Sequence, residues 1–142
     1  MDYQTNGYFN LKGKTAIVTG GAGYLGKAIS EGLVEAGANV YIVSSNVDKC
    51  KALSKVLSEK YSTNCYGAYM DIRNEESISS CFNKIFESGG SIDMLVNNAA
   101  FSSPGKLTSM NDEDWLNGLD GTINGVFRCT KAALTYMIQQ EN

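Results

Sequence analysis

Three glycines, Gly20, Gly23 and Gly26, stand between a short β-branched apolar run and an amphipathic stretch. The first pattern predicts a buried strand and the second a helix, so the glycines form the turn between them. Gly20 permits a tight turn, Gly23 lets the backbone approach a phosphate, and Gly26 lets the helix pack closely on the sheet. A helix N-terminus carries unpaired N–H groups and about half a positive charge, which favours an anion. The turn therefore predicts a dinucleotide pyrophosphate site, with a ligand-free glycine turn as the alternative.

The composition excludes several classes of site. The 142 residues contain no histidine, which removes the Ser-His-Asp and Cys-His hydrolases. The four cysteines are far apart and include no C-x-x-C pair, so we predict no metal site and expect reduced, mostly buried thiols. These cysteines are Cys50, Cys65, Cys81 and Cys129.

The charge and the hydropathy of the chain bear on its surroundings. A net charge of −3 gives no reason to expect nucleic acid as a partner. No apolar run approaches the roughly 20 residues that cross a membrane. The N-terminus lacks the basic-then-apolar order of a signal peptide. We therefore expect a cytoplasmic protein with no membrane partner.

Apolar periodicity alternates four times between strand and helix. We predict strands at residues 14–19, 39–43, 64–70 and 92–96, and helices at about 25–36, 47–60, 75–88 and, with interruptions, 111–139. This alternation predicts an α/β fold, a doubly wound parallel sheet of the Rossmann type with helices on both faces. Right-handed crossovers and the usual change of direction give the strand order 3-2-1-4. Residues 1–12 are expected to form an N-terminal extension, and residues 13–142 the domain itself.

Apolar patterns also give expectations about packing. The second helix is expected to bury Cys50, Leu53, Val56 and Leu57. The apolar side of the last helix is expected to comprise Ile123, Val126, Phe127, Thr130, Leu134 and Met137. Strand four, although outermost, has the composition of a strand buried on both faces, which leaves an open apolar edge. We therefore expect a truncated domain that lacks strand five onward, or a second chain that covers the edge.

The glycine turn and three later motifs resemble the short-chain dehydrogenase/reductase family over about residues 12–139. The opening strand reads G-K-T-A-I-V-T-G, and Asp71 matches the family's adenine-contacting aspartate. Residues 92–100 resemble its strand four and N-N-A-G motif, and residues 110–115 and 125–127 fit its interface helix. The resemblance implies an NAD(P)-dependent oxidoreductase that transfers hydride between a nicotinamide cofactor and a small carbonyl or alcohol substrate. It also implies a homo-oligomer.

The glycine turn departs from the classical branch of the family. That branch usually reads T-G-x-x-x-G-x-G, whereas Tyr24 takes the place of the middle glycine. The run at residues 19–26 instead matches the extended branch, which includes sugar-nucleotide epimerases and dehydratases. The motif at residues 97–100 and the opening at residues 13–15 favour the classical branch. Outside the enzymes, the alternative is a non-catalytic dinucleotide-binding module.

The choice of nicotinamide cofactor depends on the end of strand two. The residue that contacts the adenosine 2′ position is expected about 20 residues after the glycines, where Ser44, Ser45 and Asn46 stand. The lack of an aspartate there removes discrimination against NADP, so we favour NADP slightly over NAD. A plain turn and helix cap is the alternative for these residues. The predicted cofactor-binding residues are Gly20, Gly23, Tyr24, Leu25, Gly26, Ser44, Ser45, Asn46, Asp71, Ile72, Asn98, Ala99 and Ala100.

The catalytic Ser, Tyr and Lys of the family follow a fifth strand that this sequence does not reach, so none is carried over. The Y-x-x-x-K match from Tyr8 to Lys12 precedes the first strand and is rejected. The family's active-site Asn stands five residues before the phenylalanine of G-V-F, which places Thr122 there, with Asn124 as the alternative. We expect the 142-residue chain to bind a cofactor weakly and to be inactive alone.

The loop after strand four contains Phe101, Ser102 and Ser103. It follows the carboxyl end of a strand, where ligands bind in open α/β sheets. We expect this loop to border a substrate, and an exposed loop without such a role is the alternative.

Overall fold

The computed structural model describes residues 9–101 and 105–140 of the chain. These residues form a four-stranded parallel sheet in the order β3-β2-β1-β4, with helices on both faces. The strands are β1 (Thr15–Thr19), β2 (Asn39–Ser44), β3 (Cys65–Tyr69) and β4 (Met94–Val96). The fold class and the strand order predicted from the sequence are confirmed.

Helices connect the strands and follow the last of them. They are α1 (Tyr24–Glu35), α2 (Val47–Tyr61), α3 (Glu75–Gly89), α4 (Asp112–Leu119) and α5 (Gly125–Gln140). A short 3₁₀ turn, Leu107–Ser109, precedes α4, and a π turn, Asp120–Asn124, separates α4 from α5. The predicted helix over about residues 111–139 is therefore confirmed, with the π turn as its interruption. Within the described ranges, no helix is both long enough and apolar enough to cross a membrane.

The central strand β1 is buried along its whole length. Ile17 and Val43 pack with α3 and α5, whereas Val18 and Ile42 pack with α1 and α2. This alternation follows from the two-residue period of a strand, which sends successive side chains to opposite faces. Two apolar layers therefore hold β1 in place, and the glycine turn begins at its carboxyl end.

The residues just before β1 dock on the body of the domain. Leu11 packs against the layer formed by α1 and α2, and its N–H donates to the carbonyl of Ala36 at 2.9 Å. Residues 1–8 of the predicted extension, with Tyr8, lie outside the described residues.

The buried face of α2 excludes Val56, contrary to the prediction. Cys50, Ser54 and Leu57 are buried, whereas Val56 is 58% exposed. The three buried residues follow the i, i+4, i+7 spacing of a single helical face. Val56 lies off that face, so its apolar character does not bring it into the core.

The predicted apolar side of the last helix lies mostly on the surface. Its exposed members are Ile123, Val126, Phe127 and Leu134. The buried face of α5 consists of the small residues Gly125, Cys129 and Ala133. Small residues allow a helix to approach its neighbours closely, so this face packs on the core and the bulkier stripe is left outside.

The two remaining members of that predicted side are partly buried. Thr130 accepts a hydrogen bond from the side-chain amide of Asn97 at 3.1 Å, and Met137 packs against the core layer that contains α3. The predicted apolar side is therefore an exposed stripe of the last helix, apart from Thr130 and Met137.

The outer strand β4 is shorter and less buried than predicted. The sequence predicted a strand over residues 92–96 that is buried on both faces, whereas Met94–Val96 are half-buried. Ile92 is fully buried but precedes the strand. In the described sheet β4 has a neighbouring strand on one side, β1, so its side chains remain partly accessible.

α2 and β3 approach each other closely at Gly67. A Cβ on Gly67 would overlap the backbone of Cys50 and Lys51 in α2. A packed backbone cannot move aside as the end of a flexible side chain can. The absence of a side chain at Gly67 therefore sets the distance between this helix and the sheet.

We expect Gly67→Ala to destabilise the protein because its methyl group would push α2 away from β3. Overpacking of this kind costs about 1–3 kcal/mol in the free energy of unfolding, measured in urea. The control is Gly32→Ala in α1, where a Cβ meets nothing within 4 Å and alanine favours the helix by about 1 kcal/mol. Equal stability of the two variants would contradict this account of Gly67.

Candidate functional site

The carboxyl ends of the four strands border one cleft of about 530 Å³. Parallel strands place their carboxyl ends at the same edge of a sheet, so the loops that follow them meet there. Every predicted cofactor-binding residue lines this cleft except Asn46. Residues that the sequence did not assign to a cofactor also line it: Ala22, Val43, Lys49, Met70, Arg73 and Phe101.

The glycine turn at one end of the cleft requires its glycines. Gly20 has φ +62°, and a Cβ there would lie 2.9 Å from the Cα of Ala99. A Cβ on Gly26 would overlap the carbonyl oxygen of Gly20. The N–H of Gly23 donates to that same carbonyl at 2.9 Å, which closes the turn. The backbone therefore forms a compact cradle that side chains would fill.

The N-terminus of α1 opens into the cleft without a side-chain cap. Gly23 is the N-cap residue, no side chain bonds to the first turn, and this turn carries no acidic residue. By contrast, α2, α3 and α4 are capped by Asn46, Asn74 and Asn111, each with an acidic residue in the first turn. The partial positive charge of α1 is therefore not offset by a side chain of its own first turn, and such a helix end favours an anion.

At the end of β2, Asn46 faces α2 and not the cleft. Its side-chain oxygen accepts a hydrogen bond from the N–H of Lys49 at 3.1 Å. The hydroxyl of Ser44 accepts from the N–H of Asn46 at 3.1 Å, so it closes the turn before α2. Ser44, Ser45 and Lys49 line the cleft, and none of them is a carboxylate. Asn46 is therefore the N-cap of α2, which is the alternative role given for it from the sequence.

At the end of β3, Asp71 and Arg73 form an ion pair on the cleft wall. The guanidinium donates to both carboxylate oxygens, at 3.2 Å from Nε and 3.1 Å from Nη2. This contact holds the pKa of the Asp71 carboxyl below its ordinary value. The Arg73 guanidinium also lies 4.7 Å from the ring centroid of Phe101. The arginine thus bridges the loops after β3 and β4.

Asn98 joins the loop after β4 to the glycine turn. Its side-chain amide donates to the carbonyls of Thr19 at 2.9 Å and Gly20 at 3.1 Å. The hydroxyl of Thr19 accepts from the N–H groups of Asn98 and Ala99, both at 3.0 Å. The sequence did not single out Thr19, although its place immediately before Gly20 was a usable signal.

The π turn carries the two candidates for the family's active-site Asn. The hydroxyl of Thr122 donates to the carbonyl of Phe101 at 3.0 Å, and both residues line a second cavity of about 280 Å³. The side-chain amide of Asn124 donates to Asp120 at 3.1 Å instead. Thr122 therefore lies beside the loop that borders the cleft, and Asn124 does not.

Two further expectations concern residues near the cleft. Phe101 lines it, whereas Ser102 and Ser103, predicted with Phe101 to border a substrate, lie outside the described residues. Among the described residues, no group of His, Cys, Asp and Glu side chains could hold a metal ion. The cleft therefore offers backbone N–H groups, hydroxyls and two basic side chains, Lys49 and Arg73, to a ligand.

Known proteins with a similar sequence cover most of the chain. The family model for short chain dehydrogenase matches residues 14–142. The 3-oxoacyl-[acyl-carrier-protein] reductase FabG of Aquifex aeolicus is 35% identical, over 92% of this chain and 52% of its own length. The short chain dehydrogenase/reductase dpmpG of Macrophomina phaseolina is 34% identical, over 92% of this chain and 75% of its own length.

A solved structure gives the same result for the fold. A protein of Sinorhizobium meliloti 1021, described as a short-chain alcohol dehydrogenase, superposes with a TM-score of 0.84 at 29% identity. The match covers 91% of this chain and 51% of that protein. The chain spans about half the length of the FabG reductases it matches. The resemblance read from the sequence is confirmed, and the chain belongs to the short-chain dehydrogenase/reductase family.

Proposed function

We propose that this chain is the dinucleotide-binding part of an NAD(P)-dependent oxidoreductase that interconverts a small carbonyl compound and its alcohol. The observation that carries the proposal is the uncapped N-terminus of α1 behind the glycine cradle. The relatives support the carbonyl substrate, because a 3-oxoacyl reductase acts on a carbonyl group. The nicotinamide cofactor would supply or accept the hydride.

In this proposal the cleft divides into sections along the carboxyl ends of the strands. The turn from Gly20 to Gly26 holds the pyrophosphate, and Ser44 and Ser45 contact the adenosine ribose. Asp71 and Ile72 contact the adenine, and Asn98–Ala100 contact the nicotinamide half. All these residues line one cleft, which supports the assignment.

The active-site position of the family's Asn is assigned to Thr122. Its hydroxyl is bonded to the carbonyl of Phe101, a residue that lines the cleft. The catalytic Ser, Tyr and Lys have no counterpart at matching positions of these 142 residues. The contribution that we propose for this chain is therefore cofactor binding, and turnover is a property of the whole enzyme.

NADP is the proposed cofactor in preference to NAD. Lys49 lines the cleft beside Ser44 and Ser45, and no carboxylate lines it at this end of β2. A 2′-phosphate placed here would meet a positive charge and no negative one. The NAD form loses that attraction but keeps the remaining contacts.

The proposed compartment is the cytoplasm, where thiols stay reduced. The four cysteines are free and buried. Burial raises the pKa of the Cys81 and Cys129 thiols to about 11. These thiols are therefore protonated and unreactive at neutral pH, as expected of small apolar core residues.

The proposed partner is a second copy of this chain, bound at the α5 stripe. We define this stripe as Ile123, Val126, Phe127, Leu134 and Ile138, all of them exposed. Four of these residues recur at helical spacing along α5, and they line a shallow groove of about 620 Å³. A contiguous exposed apolar patch marks an interaction surface, and the family places its interface on the corresponding helix.

Gly26→Ala is expected to weaken binding of NADP⁺ at least about tenfold, because the added Cβ overlaps the Gly20 carbonyl and opens the cradle. Isothermal titration of the 142-residue chain with NADP⁺ and with NAD⁺ measures both affinities, and NADP⁺ should bind more tightly. Gly32→Ala, in the same helix, is the matched control and should bind like the wild type. The absence of binding of either dinucleotide to the wild type would refute the proposed function.

Lys49→Met is expected to raise the Kd for NADP⁺ about threefold and to leave the Kd for NAD⁺ unchanged, because one exposed charge contributes modestly. The control is Lys51→Met, since Lys51 belongs to the same helix but does not line the cleft. An equal effect of Lys49→Met on both dinucleotides would argue against contact with the 2′-phosphate.

Phe127→Glu is expected to convert an oligomer of this chain into a monomer, because it places a charge in the middle of the α5 stripe. Light scattering after size-exclusion chromatography measures the mass. Val56→Glu is the control, since Val56 is an exposed apolar residue on α2. A monomeric wild type, or an unchanged mass for Phe127→Glu, would contradict self-association through this stripe.

A further inference from the structure

An ion pair spans the π turn between α4 and α5. The Nη2 of Arg128 donates to Oδ1 of Asp120 at 2.7 Å, and the side-chain amide of Asn124 donates to the same oxygen at 3.1 Å. Asp120 is the first residue of the π turn, and Arg128 lies in the first turn of α5. Eight residues of helix advance about 12 Å, so the arginine side chain lies back along the helix. The pair therefore links the two sides of the whole π turn.

The π turn in turn supports the wall of the cleft. The N–H of Phe101 donates to the carbonyl of Gly121 at 3.1 Å, and a Cβ on Gly121 would overlap the phenylalanine side chain. At the other end of the turn, a Cβ on Gly125 would lie 2.8 Å from Cδ1 of Ile72. Phe101 and Ile72 both line the cleft. A shift in the register of the turn would therefore move two wall residues together.

Two positively charged side chains, Arg128 and Arg73, attract the Asp120 carboxylate. Its pKa is lowered by the hydrogen bond from Arg128, then by Asn124, and Arg73 adds a smaller attraction. Arg73 in turn lies over the ring of Phe101. The carboxylate is thus ionised at neutral pH and is attracted by the same arginine that bridges the loops after β3 and β4.

We propose that Asp120 and Arg128 are positioning residues that hold the π turn in register and thereby keep Phe101 and Ile72 in place for the dinucleotide. The proposal rests on the proposed function of the cleft. Neither Asp120 nor Arg128 lines the cleft, so both act through the residues that do.

The ion pair is poorly suited to a purely stabilising role. The Nη1 of Arg128 is buried and has no hydrogen-bond partner within the part of the chain that the structure describes. A buried donor without a partner loses its hydration and gains nothing in return. The side chains of Arg128 and Asp120 are 25% and 33% exposed, and an ion pair open to solvent contributes at most about 1 kcal/mol to stability. Loss of the pair should therefore change binding more than it changes unfolding.

The main test is Arg128→Met, which keeps the apolar stem and removes the charge. The Kd for NADP⁺, measured by isothermal titration of the 142-residue chain, should rise about fivefold, while the urea midpoint stays close to that of the wild type. The matched control is Lys60→Met, which breaks the 2.7 Å pair with Glu31 between α1 and α2, away from the cleft. An unchanged Kd, or an equal rise in Lys60→Met, would overturn the proposal.

A double-mutant cycle separates positioning from a diffuse structural effect. If Arg128 acts through Phe101, then Arg128→Met should have little further effect on the Kd in a Phe101→Ala background. Additive effects of the two substitutions would overturn the proposal. A conservative Arg128→Lys should restore part of the affinity, since it returns the charge that faces Asp120.

Hydrogen exchange at the Phe101 amide tests the proposal without any ligand. This N–H is bonded to the Gly121 carbonyl, so its exchange reports directly on the register of the π turn. Exchange should be about tenfold faster in Arg128→Met and unchanged in Lys60→Met. Unchanged exchange in Arg128→Met would overturn the proposal whether or not the chain binds a dinucleotide. Failure of the wild type to bind one would refute the proposed function instead.

Discussion

The buried hydroxyl of Thr19 is the interaction on which the geometry of the cleft depends. It donates to the carbonyl of Val96 at 3.2 Å and accepts from the N–H groups of Asn98 and Ala99. One side chain at the end of β1 thus satisfies three backbone groups of the outer strand and its loop. Such a network is strong because it lies in a low-dielectric interior. The glycine turn and the wall after β4 therefore form one rigid unit.

The sequence predicted the parts of this unit that depend on local patterns. The strand order follows from the alternation of short apolar runs with amphipathic helices, and the turn from the spacing of Gly20, Gly23 and Gly26. Interruptions of the last helix were predicted, but the position and the π form of the turn between α4 and α5 could not be predicted in this way. Residues 120–124 contain no proline, and the π turn depends on the contact of Gly121 with Phe101, about 20 residues earlier in the chain.

Tertiary packing also decides which of two apolar stripes of a helix faces the core. The last helix carries two apolar stripes, one bulky and one small, and periodicity alone favours the bulky stripe. The small stripe faces the core because Cys129 and Ala133 let α5 approach the sheet. In the same way, a motif identifies Asp71 but does not show that Arg73 engages both of its carboxylate oxygens, since this depends on the turn that follows β3.

The missing cap of α1 has a consequence for local stability. Exchange of an asparagine N-cap for glycine costs about a few tenths of a kcal/mol, and Gly23 has no side-chain acceptor for the first turn of α1. Without one, the first turn of α1 frays more readily than those of α2, α3 and α4 in the free protein. A bound anion would supply the missing acceptor and act as the cap, so the ligand would complete the secondary structure of its own site. The order of this helix end then rises with ligand concentration.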